Sequence, residues 1–340
     1  MLEKLLENYQ PRDNHFLVFQ VRQGCGGLGD RIIGLSSAFV LALLTNRHFR
    51  IDWQTPFPLR MAWEPASDEI PWNNQDSIKD EPFLIDAFNN IRKFGHYFRE
   101  ENFFLNEHKV ITVKANQHFF TYLLQNPFLK IKALNIEPQN APALQSEILS
   151  CLFRPTPRLA NTIRQFAQRI GRKNSIGIQI RTLKNFGDNS FGHLKKKNLR
   201  KFYNCARSLF SRERENIVFI SADDRETLED MAKMFDGVEI FTLPYNILHT
   251  DKSRWHNEKD YLGLFLNLHL LAACEHLIIS RYSSFGRVAA FLRGSDPWTI
   301  RHNLGLYLPV NLFMRRFKVL LEEPFRRISL SNLVSKEPIY

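Results

Sequence analysis

The second half of the chain alternates nearly all-apolar runs with amphipathic ones. The runs "SIGIQIR", "NIVFIS", "VEIFTL" and "HLIIS" read as strands, and "KKNLRKFYNCARSLF", "RETLEDMAKMF", "KDYLGLFLNLHLLAAC" and "SFGRVAAFLRG" read as helices. Strands apolar on both faces need cover on both, so the pattern predicts a doubly wound parallel sheet. The first half is less regular, with strand-like "FLVFQVRQ", "HFRIDW" and "HKVITVKA" set among helical stretches. Its longest apolar run, within Ile32 to Leu44, is shorter than the roughly 20 residues a membrane span requires and reads as a buried helix. A Pro- and Trp-rich connection from Thr55 to Trp72 reads either as an acceptor-site or lid loop or as an ordinary surface insertion. The helical "PRLANTIRQFAQRIGRKN" stops on Gly and basic residues, which puts a domain junction near Arg172. The expected organisation is an N-terminal α/β domain over 1–172, a second, Rossmann-like domain over 173–308, and a segment 309–340 running back onto the first.

Composition narrows the partners more than the fold. At 340 residues the chain suits two α/β lobes sharing a cleft, and with 44% apolar and 24% charged residues it is a folded globular protein. The 46 Lys plus Arg against 35 Asp plus Glu leave +11, which favours an anionic partner: nucleotide phosphates, nucleic acid or an acidic membrane surface. Cys25, Cys151, Cys205 and Cys274 are far apart with no C-x-x-C, which argues against a disulfide framework or a zinc knuckle. The start "MLEKLLENYQPRDNH" is too charged for a signal peptide. The expectation is a cytoplasmic or peripherally membrane-associated protein; a lumenal fragment of a longer anchored chain would read the same way.

In an open parallel sheet, ligands bind beyond the carboxyl ends of the strands, so the residues that follow each strand are the informative ones. In "GIQIRT" the alternation puts Gln179 and Arg181 on one side of the strand exit. The planar fork of Arg181 suits a pyrophosphate; a salt bridge tying down the loop is the alternative. "FISADDRETL" carries Ser221, Asp223 and Asp224. Asp223 with Glu226 fits a capping box, while a carboxylate at this edge also suits a ribose or a base. "IISRYSSFGRVAAF" places Ser283, Ser284, Phe285, Gly286 and Arg287 at a helix start, where hydroxyls, free N–H groups and a cation form an anion seat; serines acting as plain N-caps are the alternative. There is no D-x-D pair and no H-E-x-x-H. No metal is therefore expected, and cationic side chains and helix dipoles are expected to hold the anion instead.

"GCGGLG", from Gly24 to Gly29, matches G-x-G-x-x-G, and Asp52 closes the next strand, so a dinucleotide fingerprint is on offer. An NAD(P)-dependent oxidoreductase would leave the second-half loops unexplained and finds no hydride-transfer constellation in the first half. It is the least favoured reading, and Asp52 reads better as a strand-end acid.

Taken together, "GGLGDRIIGLSSAFVLALLTNRHFRIDW", "GIQIRT", "FISADD" and "SRYSSFGRVAAFL" resemble, in order and spacing over roughly 16–300, the fucosyltransferase superfamily of GT-B fold. That superfamily includes the plant xyloglucan, bacterial nodulation, core α1,6 and protein O-fucosyltransferases. The resemblance implies two Rossmann-like domains facing across a cleft. It also implies metal-independent, inverting transfer from a nucleotide-sugar donor, GDP-fucose, to a hydroxyl of a glycan or glycoconjugate acceptor, with no bound cofactor. It matches Arg181 to the family arginine on the diphosphate and Ser283 to Arg287 to its serine and glycine phosphate segment. Asp223 and Asp224 match an acidic pair beside the nucleoside, and Gly27, Gly29, Asp30 and Arg31 match the loop that closes over the donor. Two positions depart from the pattern. Gln179 stands where several members have His, and Asn267 stands where core-type members have an Asp that reads guanine.

Inverting displacement usually calls for a base on the acceptor side. Asp188 and His193, in the loop after Arg181, are the candidates, and Asp188 beside Gly187 and Asn189 also reads as a plain turn residue. Use of another nucleotide sugar, or a non-catalytic glycan- or polyanion-binding role, are the competing readings. No nucleic acid is expected, since "HLKKKNLRK" interleaves apolar residues and reads as a solvated helix face.

Overall fold

A computed structural model describes residues 2–73, 80–88, 91–100, 102, 108–129, 141–182, 196–244, 257–281, 283–300 and 334–336. The first part of the chain runs through α1 (Leu2–Glu7), β1 (Phe16–Val21), α2 (Leu28–Leu44), β2 (His48–Trp53), a 3-10 turn (Leu59–Met61) and β3 (Trp63–Pro65). It continues through β4 (Phe83–Asp86), α3 (Ile91–Glu100), β5 (Val110–Lys114), α4 (Phe120–Leu124), α5 (Ala141–Leu152), β6 (Phe153–Pro155) and α6 (Pro157–Ile170). The second part runs through β7 (Asn174–Ile180), α7 (Lys196–Ser208), β8 (Asn216–Ala222), α8 (Arg225–Lys233) and β9 (Glu239–Phe241). It closes with α9 (Glu258–Ala273), β10 (His276–Ser280), α10 (Ser284–Arg293), β11 (Trp298–Ile300) and β12 (Val334–Lys336).

Two sheets organise these elements. The first has the order β2-β1-β5-β4 with every pair parallel. The second has the order β12-β11-β10-β7-β8-β9, parallel except for β12. In the second sheet the chain moves outward from β7 through β8 to β9, then returns through α9 to start again at β10 on the other side of β7. Strand order therefore reverses between β7 and β10, and in the first sheet between β1 and β5. Such reversals open a crevice at the carboxyl ends of the strands.

The alternation along β7 sorts its side chains between two cores. Ile176, Ile178 and Ile180 pack with Leu199, Phe202 and Met231 under α7 and α8. Gly177 turns to the other face, where a side chain would meet Leu271 and Cys274. On that face α9 and α10 join the first lobe in one continuous core that takes in Phe39, Trp63, Ile148, Phe265 and Val288. The sheet is covered on both faces, as its all-apolar strands require. Helix α9 is apolar nearly all round and is buried accordingly.

One expectation is corrected. The Thr55 to Trp72 connection is not a loose lid: Trp63 and Trp72 are buried, β3 pairs antiparallel with β6, and the Trp63 indole N–H donates to His269 Nε2 of α9 at 2.8 Å. Large aromatic side chains drew this stretch into the core between the lobes. Of the C-terminal segment, the described residues Val334–Lys336 pair antiparallel with β11 at the edge of the second sheet, and the rest of 309–340 lies outside the described residues.

Candidate functional site

The crevice between β7 and β10 gathers most of the residues expected there. The backbone N–H of Arg181 donates to Ser280 Oγ at 2.8 Å, which ties the exit of β7 to the end of β10. The Arg181 guanidinium lies 3.0 Å from Asp223 Oδ2. The other carboxylate oxygen of Asp223 accepts from both the N–H and the hydroxyl of Thr182 at 2.7 Å. Asp223 thus orients the arginine fork at the exit of β7. The cap of α8 is Asp224, whose carboxylate accepts from the N–H and hydroxyl of Thr227 at 2.9 and 2.8 Å. This corrects the expected capping box by one residue. The reason is that the Asp223 side chain is already committed to Arg181 and Thr182.

Across the crevice stands the N-terminus of α10. Ser283 caps it, accepting from Gly286 N–H at 3.1 Å, and is buried. Its hydroxyl therefore serves the helix, whereas Ser284, Phe285 and Arg287 in the first turn are half-exposed. Gly286 admits the sheet: a Cβ there would lie 2.9 Å from Gln179 Oε1 and from Ile279 Cβ. Gln179 is buried on this face of β7, and its Oε1 has no hydrogen-bond partner among the described residues. Asn267 lies on the face of α9 that carries Leu271 and Cys274 against β7; its amide donates to Gly263 O at 2.8 Å within its own helix.

The glycine-rich loop meets this site differently from the expectation. Gly29, in the first turn of α2, abuts α10: a Cβ there would lie 2.6 Å from Ser284 O and would also strike the Phe285 amide nitrogen. The close approach that demands glycine is therefore to protein backbone. Gly27 begins α2, and its N–H donates to Asp30 Oδ2 at 3.3 Å, which makes Asp30 a cap of that helix. Arg31 is buried and donates from Nε to Gly26 O at 2.9 Å and from Nη1 to Thr55 O at 2.7 Å, with its guanidinium 5.6 Å from the centre of the Trp53 ring. It clamps two loops of the first lobe. Asp52 is likewise engaged within its own lobe, with Arg22 at 2.6 Å and Gln20 at 3.0 Å.

Three residues that sequence reasoning missed belong to this region. Ser280 and Thr182 hold Arg181 and Asp223 in place. Each directly follows or ends a recognised strand and could have been found by that rule. His118 follows β5 at the reversal point of the first sheet, and its ring meets that of Phe120 edge-on at 5.8 Å. Burial and the charge of Arg287 hold its pKa down to about 4. Asp188 and His193 lie outside the described residues. Among the described residues no cluster of three or more His, Cys, Asp or Glu is grouped to hold a metal ion, and no helix is long and apolar enough to cross a membrane.

Two open parallel α/β sheets, each reversing strand order at a crevice and joined where the first turns of α2 and α10 meet, form a GT-B architecture. No protein-family model matches the chain. It is 22% identical over 308 residues to probable fucosyltransferase 9 of Arabidopsis thaliana, covering 81% of this chain and 60% of that one. It is 23% identical to fucosyltransferase 6 of the same plant, covering 89% and 65%. The chain thus spans under two thirds of the length of these relatives. Its fold matches that of Arabidopsis thaliana FUT1 solved with GDP, with a TM-score of 0.66 at 18% identity over 89% of this chain and 75% of that one. It also matches NodZ α-1,6-fucosyltransferase co-crystallised with GDP, with a TM-score of 0.58 at 18% identity over 85% and 95%. In sequence and in fold, the chain is similar to the fucosyltransferases.

Proposed function

We propose that this protein is an inverting glycosyltransferase that moves fucose from GDP-fucose to a hydroxyl of a glycan or glycoconjugate acceptor. The observation that carries this reading is the β7/β10 crevice, where an oriented arginine, Arg181, faces the capped N-terminus of α10 with Arg287 one turn in. That combination suits a diphosphate that gains negative charge as it departs. Cationic side chains and the helix terminus neutralise that charge, so the reaction runs without a metal. Gln179, a buried amide packed against Gly286, braces the exit of β7 under the start of α10. Asn267 offers its carbonyl oxygen to the base.

On this reading the region 173–308 holds the donor and 1–172 presents the acceptor. The names of the relatives, and GDP in two of the solved structures, support the choice of nucleotide and sugar. Thermal shift with GDP, GDP-fucose, UDP-sugars and NAD tests it. A ligand present at 100 times its dissociation constant stabilises by about 2.7 kcal/mol. Stabilisation by GDP and GDP-fucose, and GDP release from GDP-fucose, are expected. Stabilisation by NAD or a UDP-sugar alone would overturn the reading.

A further inference from the structure

His118 occupies a place in this molecule that neither its own strand nor the neighbouring core explains. It follows β5, and β5 adjoins β1 at the reversal point of the first sheet. The residues around it are pinned. A Cβ on Gly26 would lie 3.2 Å from Asn116 Nδ2, so the glycine-rich loop packs directly on the β5 exit. The Phe119 N–H donates to Ser37 Oγ of α2 at 3.2 Å, and the Phe119 ring stacks on Phe98 with centroids 4.1 Å apart. The same helix α2 presses Gly29 onto Ser284 and Phe285 at the start of α10. These contacts place the exit of β5 opposite the first turn of α10, the helix that carries Arg287. His118 is half-buried, and neither ring nitrogen is hydrogen-bonded to any described residue.

We propose that His118 is the catalytic base that takes the proton of the attacking hydroxyl, an assignment that rests on the glycosyl-transfer reading above. An imidazole held neutral beside a cation is already in the proton-accepting form. A bound diphosphate adds negative charge beside Arg287, which raises the basicity of His118 when the donor is in place. In the step, the acceptor oxygen forms its bond to the anomeric carbon and passes its proton to His118. The bond from that carbon to the diphosphate breaks, and its electron pair leaves with the diphosphate, which is held by Arg181, Arg287 and the α10 N-terminus. The imidazolium then returns the proton to solvent.

The test uses the full chain with GDP-fucose and needs no identified acceptor, because water serves as a slow nucleophile. His118→Gln is expected to bind GDP within about twofold of the parent and to lower GDP release by on the order of 10²–10⁴-fold. Azide, an anionic nucleophile that needs no deprotonation, is expected to restore GDP release in the variant. Unchanged release by His118→Gln, or a loss that azide does not restore, overturns the assignment while leaving the glycosyl-transfer reading intact. If His118→Gln loses GDP affinity, His118→Asn is read by the same criteria. A parent protein that releases no GDP from GDP-fucose overturns both.

Discussion

Gly29 and Ser284 join the two lobes by backbone contact: a Cβ on Gly29 would stand 2.6 Å from the Ser284 carbonyl oxygen and would also meet the Phe285 amide nitrogen. No flexible side chain is available to give way. Gly29→Ala is expected to force α2 and α10 apart at a cost of about 1–3 kcal/mol. A lowered Tm together with weaker GDP binding, measured on the purified variant, is the expected pair of results. A parental Tm with parental affinity would show that the contact is dispensable.

Arg181 and Asp223 form the second relationship with a measurable consequence. Arg181→Ala is expected to abolish donor binding and turnover together. Asp223→Asn keeps the shape but removes the charge that orients the fork 3.0 Å away. Hydrogen bonds to charged groups are worth about 1.5–3 kcal/mol, so GDP affinity in Asp223→Asn is expected to fall by roughly 10- to 100-fold. Isothermal titration with GDP distinguishes the two variants, and unchanged affinity in the first refutes the assigned role.

His269 links acid stability to the lobe contact. Burial holds its pKa down to about 4 from an ordinary 6.5, in keeping with a neutral ring that accepts the Trp63 indole N–H at 2.8 Å. The unfolded chain therefore binds more protons than the folded one between those values. Stability is full above about 6.5 and falls as pH drops toward 4, by about 3 kcal/mol from this group. His118 contributes in the same direction. Urea unfolding across this range is expected to show the loss. His269→Gln, which keeps an acceptor for the indole, is expected to flatten the slope.

Cys205 and Cys274 are buried, and desolvation pushes both thiols up to about 12. The thiolate is the reactive form. Neither residue is expected to react with a maleimide at mildly alkaline pH in the folded protein, and both are expected to react after denaturation. Rapid labelling of either in the native state, mapped by peptide mass spectrometry, would contradict the packing of α7 or α9.

What the chain determines by itself is its local periodicity and the chemistry at its strand ends. The isoleucine alternation in β7 sets two faces before any partner is known, and it puts Gln179 and Arg181 on the side where α9 and α10 pack. The Ser283-Ser284-Phe285-Gly286-Arg287 run marks a helix start in the same local way, because capping and dipole effects act within one turn.

Which neighbour each residue meets was decided only by tertiary packing. The glycines of "GGLGDR" are readable as points of close approach, but a glycine pattern does not name what approaches, and for Gly29 it is the backbone of Ser284 and Phe285. Arg31 is buried between Gly26 O and Thr55 O, because the Thr55 to Trp72 connection folds inward on its tryptophans. Asp223 and Asp224 are adjacent and chemically equal in sequence. The register of β8 beside β7 gives one to Arg181 and the other to the cap of α8. His118 lies far from Arg287 along the chain, and only the order β2-β1-β5-β4, with α2 pressed onto α10, brings the exit of β5 to the helix that carries that charge.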